Sequence, residues 1–224
     1  MARKQFFIVL LLASTGLVSG QGEHPITKRK YAQVMGAAGA GWLERSEREE
    51  EENPDKAIQA LGLKPGMTVA DVGAGSGYFT VRMAKLVGPD GKVYATDIQQ
   101  QMLDILRKRL RSEKIPNVEL VRGTVTDPNL PAGKMDLILM VDVYHEFSEP
   151  QAMLRKMKEA LAQDGRLVLL EFRKEDPTVP IRFEHKMTVA EVRTEIEAEG
   201  FQLDQILELL PRQHMFFFKK QLVN

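Results

Sequence analysis

Cysteine is absent from all 224 residues. Thiolate-bound zinc, iron–sulfur clusters, disulfide staples and thiol nucleophiles are thereby excluded, so an apolar core must hold the fold. An excess of one charge is missing too: 31 Lys plus Arg balance 31 Asp plus Glu. A domain built mainly to hold nucleic acid usually shows a basic excess. The balance points away from that function and leaves room for a local basic groove or a charged small substrate. Long hydrophobic runs are also scarce. FFIVLLLASTGLV, residues 6–18, falls short of the ~20 apolar residues of a comfortable transmembrane helix.

That apolar stretch follows Arg3 and Lys4 and precedes Ser19 and Gly20. The charged, apolar and small-residue zones are those of a secretory signal. Residues 1–20 are therefore expected to direct export, to the periplasm or beyond, with cleavage near Gly20. An uncleaved membrane anchor is the alternative and a buried N-terminal helix the plain one; membrane contact is expected only if the segment is retained. Residues 21–53 form a polar preface that ends in the charged run ERSEREEEE. The run is expected to be a solvated helix face, with Met35, Trp42 and Leu43 packing on the main domain and Trp42 as the anchor.

From 54 to 224 the pattern becomes regular. Helical stripes at 55–62, 78–87, 100–113, 152–165 and 188–200 alternate with apolar strands at 67–72, 92–98, 117–123, 135–143 and 166–172. Gly165 reads as a helix stop. QLDQILELL and HMFFFKK close the chain, joined by a turn at Pro211. Alternation at this interval predicts one α/β domain with a mostly parallel sheet covered on both faces. The last connection is too short for a helical crossover, so the final strand is expected to run antiparallel. Within it, Phe216 and Phe218 should enter one core and Phe217 the other.

The first strand leads into VADVGAGSGYFT, residues 69–80. Gly73, Gly75 and Gly77 stand between strand and helix, where open α/β sheets bind ligands. Asp97 ends the second strand about 20 residues further on, the position of a carboxylate that accepts ribose hydroxyls. An adenosine-containing cofactor is expected. A dinucleotide fingerprint requires a third glycine three residues after the second, and here that residue is Tyr78. Asp71, two residues before Gly73, would repel a pyrophosphate and suits a cationic aminoacyl group. Both features favour S-adenosylmethionine over a nicotinamide dinucleotide.

DVGAGSG, the ATD of residues 95–97 and LAQDGRLVLLEF resemble the motifs of class I S-adenosylmethionine-dependent methyltransferases across roughly residues 55–218. WLERSEREEEE, DVYHEF, HKMTVAEV and LPRQH resemble a bacterial subgroup of that family. The resemblance implies a Rossmann-like domain with a seven-stranded sheet whose last strand is antiparallel. It implies S-adenosyl-L-methionine as cofactor, with Asp71 and the backbone of Gly73, Gly75 and Gly77 at its methionine end. Asp97 would clamp the ribose and Ile98 would lie beneath the adenine. The family often places an acidic residue directly after Gly123; here it is Thr124. Thr124 or Val125 is then expected at the adenine, or Asp127 reaching in from a displaced loop.

MVDVYHEF, residues 140–147, ends the fourth strand beside the expected methyl group. Asp142, Tyr144 and His145 are the candidate catalytic residues, with His145 the base because imidazole titrates near neutrality; Asp142 doubles as a cofactor contact. His185 and Glu171 are expected to converge with His145, but no compact metal-ligand motif is present and no metal is assigned. The expected activity is methyl transfer to an oxygen or nitrogen of a small-molecule acceptor. A noncatalytic adenosine-ligand-binding or structural protein is the alternative from another class, which a preface that filled the pocket would favour, and an NAD-dependent oxidoreductase is the weaker enzyme alternative.

Overall fold

The structure, a computed structural model, describes residues 22–221. The export-signal and anchor expectations therefore lie outside the described residues. No helix among those described is long and apolar enough to cross a membrane.

Seven strands form one sheet: β1 (Thr68–Val72), β2 (Lys92–Asp97), β3 (Val118–Arg122), β4 (Met135–Val141), β5 (Leu161–Phe172), β6 (Phe201–Leu207) and β7 (Gln213–Lys220). Their order is β3-β2-β1-β4-β5-β7-β6. The first five are parallel neighbours, and β7 alone is reversed, antiparallel to both β5 and β6. The short loop after β6 cannot carry a crossover. Sheet order reverses direction between β1 and β4, which opens a crevice beyond their carboxyl ends.

Helices α3 (Pro54–Ala60), α4 (Tyr78–Val87) and α5 (Gln100–Ser112) alternate with the first strands; α6 (Pro150–Ala160) and α7 (Val189–Ala198) belong to the second half. Met153, Leu154 and Met157 of α6 and Val192 and Ile196 of α7 pack with Phe216 and Phe218 on one face of the sheet. Ala57 and Ile58 of α3 and Phe79 and Met83 of α4 pack with Phe217 on the other. The three phenylalanines therefore divide between the two cores as their alternation predicts.

Three local expectations need correction. The helix before β5 ends at Ala160, not at Gly165, because Leu161 is already extended and pairs with Met135 of β4. Gly165 is instead pressed to the sheet: a Cβ there would lie 2.4 Å from the Met135 carbonyl oxygen. Trp42 is not a buried anchor; it is 41 % exposed, with the Arg45 guanidinium 3.7 Å above its ring. Nor is the charged run fully solvated. It follows α1 (Ala40–Leu43) and ends in α2 (Arg48–Glu52), where Arg48 and Glu52 are buried. Burial is tolerated because the charges are mutually paired: Arg48 Nε donates to Glu52 Oε2 at 2.6 Å and Arg45 Nη2 to Glu52 Oε1 at 2.8 Å.

The preface crosses the carboxyl end of the sheet as a strap. Arg29 anchors it, donating from Nε and Nη2 to the two Glu195 oxygens at 2.8 and 2.9 Å. The His145 carbonyl accepts from Ala32 N at 3.0 Å and from Arg29 Nη1 at 3.2 Å. Further along, Gln99 donates to the Met35 carbonyl at 2.8 Å and accepts from Ala37 N at 3.1 Å.

Candidate active site

A cleft lies beyond the ends of β1, β2 and β4, where open α/β sheets hold their small-molecule and cofactor sites. Its floor is the glycine loop and the strand ends; its roof is the strap, through Val34, Met35, Trp42 and Leu43. The strap thus lines the cleft and does not fill it.

Gly73, Gly75, Asp97, Ile98, Thr124, Val125 and Asp142 all line this space. The sequence reading placed all seven at a cofactor, and the fold brings them together from four separate loops. Asp97 is held at the floor by backbone donors: Gly75 N donates to its Oδ2 at 3.0 Å and Gln99 N to its Oδ1 at 2.7 Å. Burial pushes its carboxyl above the usual range, and those amide hydrogens partly offset the effect. Ile98 and Met102 give an apolar wall. In the loop after β3, the Thr124 hydroxyl accepts from Thr126 N at 3.2 Å and Asp127 N at 3.0 Å. Asp127 itself turns to Asn129, whose amide it accepts at 2.7 Å. It does not line the cleft, so the displaced-loop alternative finds no support in the geometry.

Four sequence candidates lie off the cleft wall. Asp71 is buried behind the glycine loop, where Oδ2 accepts the Thr80 hydroxyl at 2.5 Å; burial pushes its pKa up to about 6. It braces the loop from below. Gly77 serves packing: its φ is +86°, and a Cβ would stand 2.1 Å from Leu106 Cδ1. Tyr144 is fully buried in the core beneath the Arg29 guanidinium, 5.2 Å from its ring centre. His145 is 2 % exposed, with its side chain behind the wall formed by Val143, Glu146 and Phe147.

Behind that wall His145 is firmly oriented. Its Nδ1 is 2.6 Å from Glu171 Oε2, while Glu171 Oε1 accepts from Tyr144 N at 3.0 Å. With Nδ1 committed to the carboxylate, Nε2 faces His185 Nδ1 at 3.2 Å. Burial, and then His145, hold the His185 pKa below the usual imidazole value. One ligating atom each from His145, Glu146 and His185 lies within 4.8 Å of the others.

Two charged cleft residues were not among the sequence candidates. Glu146 lines the wall, accepts from Met35 N at 3.1 Å, and is pushed by burial up to about 7, with His145 opposing the shift. It was visible as part of an acidic–histidine cluster, but only its burial under the strap sets its proton affinity. Arg48 was hidden in the charged run. Asp142 keeps its expected place, in a left-handed conformation with φ +49°. Its Oδ2 accepts from Gln213 Nε2 at 2.7 Å, and its buried Oδ1 has no partner among the described residues. Burial, then the carboxylates of Glu52 and Glu171, push its pKa well above the usual carboxylate value.

Residues 63–210 match the family model described as a methyltransferase domain. The chain belongs to the class I S-adenosylmethionine-dependent methyltransferases. It is 34% identical over 118 residues to the ubiquinone/menaquinone biosynthesis C-methyltransferase UbiE of Shewanella sp. (strain W3-18-1), over 52% of this chain and 47% of that one. The chain thus spans about half the length of the curated relatives it matches. A SAM dependent methyltransferase from Aquifex aeolicus superimposes with a TM-score of 0.78 at 28% identity, over 83% of this chain and 98% of that one. The [4+2]-cyclase SpnF shares the fold, with a TM-score of 0.65 at 14% identity, over 87% of this chain and 88% of its own. That name shows that the fold by itself does not fix the chemistry. S-adenosyl-L-methionine is the cofactor of this methyltransferase, and the orphaned Asp142 Oδ1 beside the glycine loop fits a ligand that brings a cation.

Proposed function

We propose that this methyltransferase alkylates an oxygen or nitrogen nucleophile of a small-molecule acceptor held between the strap and the loop after β4. The observation that carries the reading is the roof. Val34, Met35, Trp42 and Leu43 enclose the cleft from the side opposite the strand ends. An enclosed site favours an acceptor that fits inside over a nucleic acid or other polymer.

The bound cofactor supplies an electrophilic methyl group on a sulfonium with a good leaving group. The chain's own residues position and desolvate. Asp97 accepts the ribose hydroxyls, Ile98 and Met102 flank the adenine, and Thr124 and Val125 stand at its edge. The Gly73 and Gly75 backbone approaches the aminoacyl end closely, with Asp142 beside it. Holding the acceptor in line with the methyl group is the main contribution expected of the protein. Where the acceptor carries a proton, Glu146 is the cleft-facing group with an affinity suited to taking it near neutral pH. His145, oriented by Glu171, backs Glu146 and passes charge toward His185.

Two specific observations favour second readings. The relatives are named C-methyltransferases, which makes a carbon acceptor the alternative for the same site. The clustering of His145, Glu146 and His185 makes a divalent cation the alternative to a proton relay. One experiment addresses all of these. The protein is incubated with 13C-methyl-labelled S-adenosylmethionine and a cell extract divided by ultrafiltration into small molecules and macromolecules, with and without a chelator. Label in the small-molecule fraction, at an O-methyl or N-methyl carbon shift and unaffected by chelation, is the expected result. Label only in the macromolecular fraction would sink the small-acceptor reading. A C-methyl shift would move the acceptor to carbon, and loss of transfer with chelator would replace the relay with a metal.

A further inference from the structure

We infer that Arg48 of the strap binds the cofactor's α-carboxylate, so that the aminoacyl end of the ligand is held by a segment outside the matched methyltransferase domain. The inference rests on the cofactor placement proposed above and extends it to a residue outside the glycine loop and the strand ends.

Arg48 is 4 % exposed yet lines the cleft beside Gly73, Gly75 and Asp142. A guanidinium carries five N–H donors. Among the described residues, Nε donates to Glu52 at 2.6 Å and Nη1 to the Leu43 carbonyl at 3.0 Å; no hydrogen bond uses Nη2. The plane is fixed by stacking, with Cζ 4.2 Å from the Tyr78 ring centre and 5.4 Å from that of Phe79. The group is therefore preorganised, with its free donor edge available to the cleft. Glu52, its one anionic hydrogen-bond partner, is shared with Arg45, and Nη2 stays uncommitted.

The same end of the cleft holds the complementary group. Asp142 Oδ1 is buried and lacks a partner. A cation with spare donors beside a carboxylate with a spare acceptor matches a zwitterionic α-amino acid: carboxylate to Arg48, ammonium to Asp142. A planar fork is the side chain best suited to a carboxylate. A ligand lacking the α-carboxylate leaves that donor edge to water and forgoes the charge-assisted pair, which gives discrimination.

Calorimetric titration with S-adenosylmethionine and with decarboxylated S-adenosylmethionine tests this, because the two differ only in the carboxylate. The wild-type protein is expected to prefer the carboxylated ligand by about 30- to 100-fold. In Arg48→Gln that preference should collapse to within about threefold, while affinity for the decarboxylated ligand changes little. A purely structural role for Arg48 predicts that both ligands weaken in proportion, leaving the ratio intact; that result overturns the inference. If Arg48→Gln does not fold, Arg48→Lys carries the comparison. Lysine keeps the charge without the fork, so the ratio should fall by about tenfold, and an unchanged ratio overturns the inference. Wild-type protein that binds both ligands without discrimination defeats this inference alone. Folded wild-type protein that binds neither defeats the cofactor placement as well.

Discussion

The floor and the roof of the cleft are made in different ways. The floor comes from strand ends and the loops that follow them, set by two apolar cores on either side of the sheet. The roof is a strap with little core of its own, fastened by ion pairs: Arg29 on Glu195 in the interior and Glu44 on Arg109 at the surface, at 2.6 Å, with Arg48 on Glu52 bracing it from within. Apolar packing is non-directional and tolerates substitution of similar volume. A buried ion pair is directional and fails badly when one partner is removed. The floor should therefore be robust in stability and exacting only where a ligand or a helix comes close, and the roof should depend on a few single residues.

The largest expected effect falls on the roof. Arg29→Met leaves Glu195 in the interior, and the expected loss in urea denaturation is about 3–5 kcal/mol. A loss below about 1 kcal/mol would mean that the pair does not fasten the strap. On the floor, Gly77→Ala puts a Cβ against Leu106 at a positive φ, for an expected loss of about 3 kcal/mol. Gly75→Ala meets only the Leu43 Cδ1 end, at 2.9 Å; it should cost about 1–2 kcal/mol and disturb the roof more than the fold. Equal losses from the two substitutions would break the distinction between packing glycine and cleft glycine.

Next is the ribose end. Asp97→Ala should weaken S-adenosylhomocysteine and 5′-methylthioadenosine alike, each by about 30- to 100-fold, because both retain the ribose. Loss of S-adenosylhomocysteine binding alone would place Asp97 at the wrong end of the ligand.

The smallest effect concerns the wall between floor and roof. The Glu146 carboxyl titrates near 4.5 in its ordinary state and at about 7 in the fold. Between those values the unfolded chain binds fewer protons than the folded one, so this group's contribution to stability falls as pH rises from about 4.5 to 7 and is constant above. Glu146→Gln keeps an acceptor for Met35 N and removes the charge. At pH 8 the variant is expected to be more stable than the wild type by about 1 kcal/mol, less than the full shift implies because the half-buried carboxylate is partly reached by solvent. At pH 4 that advantage should be gone, which thermal melts of the ligand-free protein at the two pH values will show. A variant less stable at pH 8 would reverse the sign and remove Glu146 as the proton acceptor.

Legibility in the sequence followed the same division. Asp97, Ile98 and the glycine loop could be read because strand periodicity locates strand ends, and the crevice lies there in any doubly wound sheet. Tyr144 and His145 were placed in the right loop and on the wrong side of its wall. Sequence adjacency cannot say which way a short 3-10 turn, here Tyr144–Glu146, directs each of three successive side chains. Arg48 and Glu52 were misread because a charged run is normally solvated, and only the Tyr78 and Phe79 rings of another helix make a buried place for them.

The sequence by itself determined the α/β alternation, the reversed last strand, the split of Phe216, Phe217 and Phe218 between two cores, and the class of cofactor. Each depends on local periodicity, on loop length or on a motif contiguous in the chain. The tertiary structure alone decided which of MVDVYHEF faces the cleft, that Asp71 and Gly77 lie behind the cleft wall, and that the strap roofs the site. Those outcomes depend on burial and on partners distant along the chain, such as Arg29 with Glu195 and Leu43 with Gly75, and no local pattern encodes a pairing across that separation.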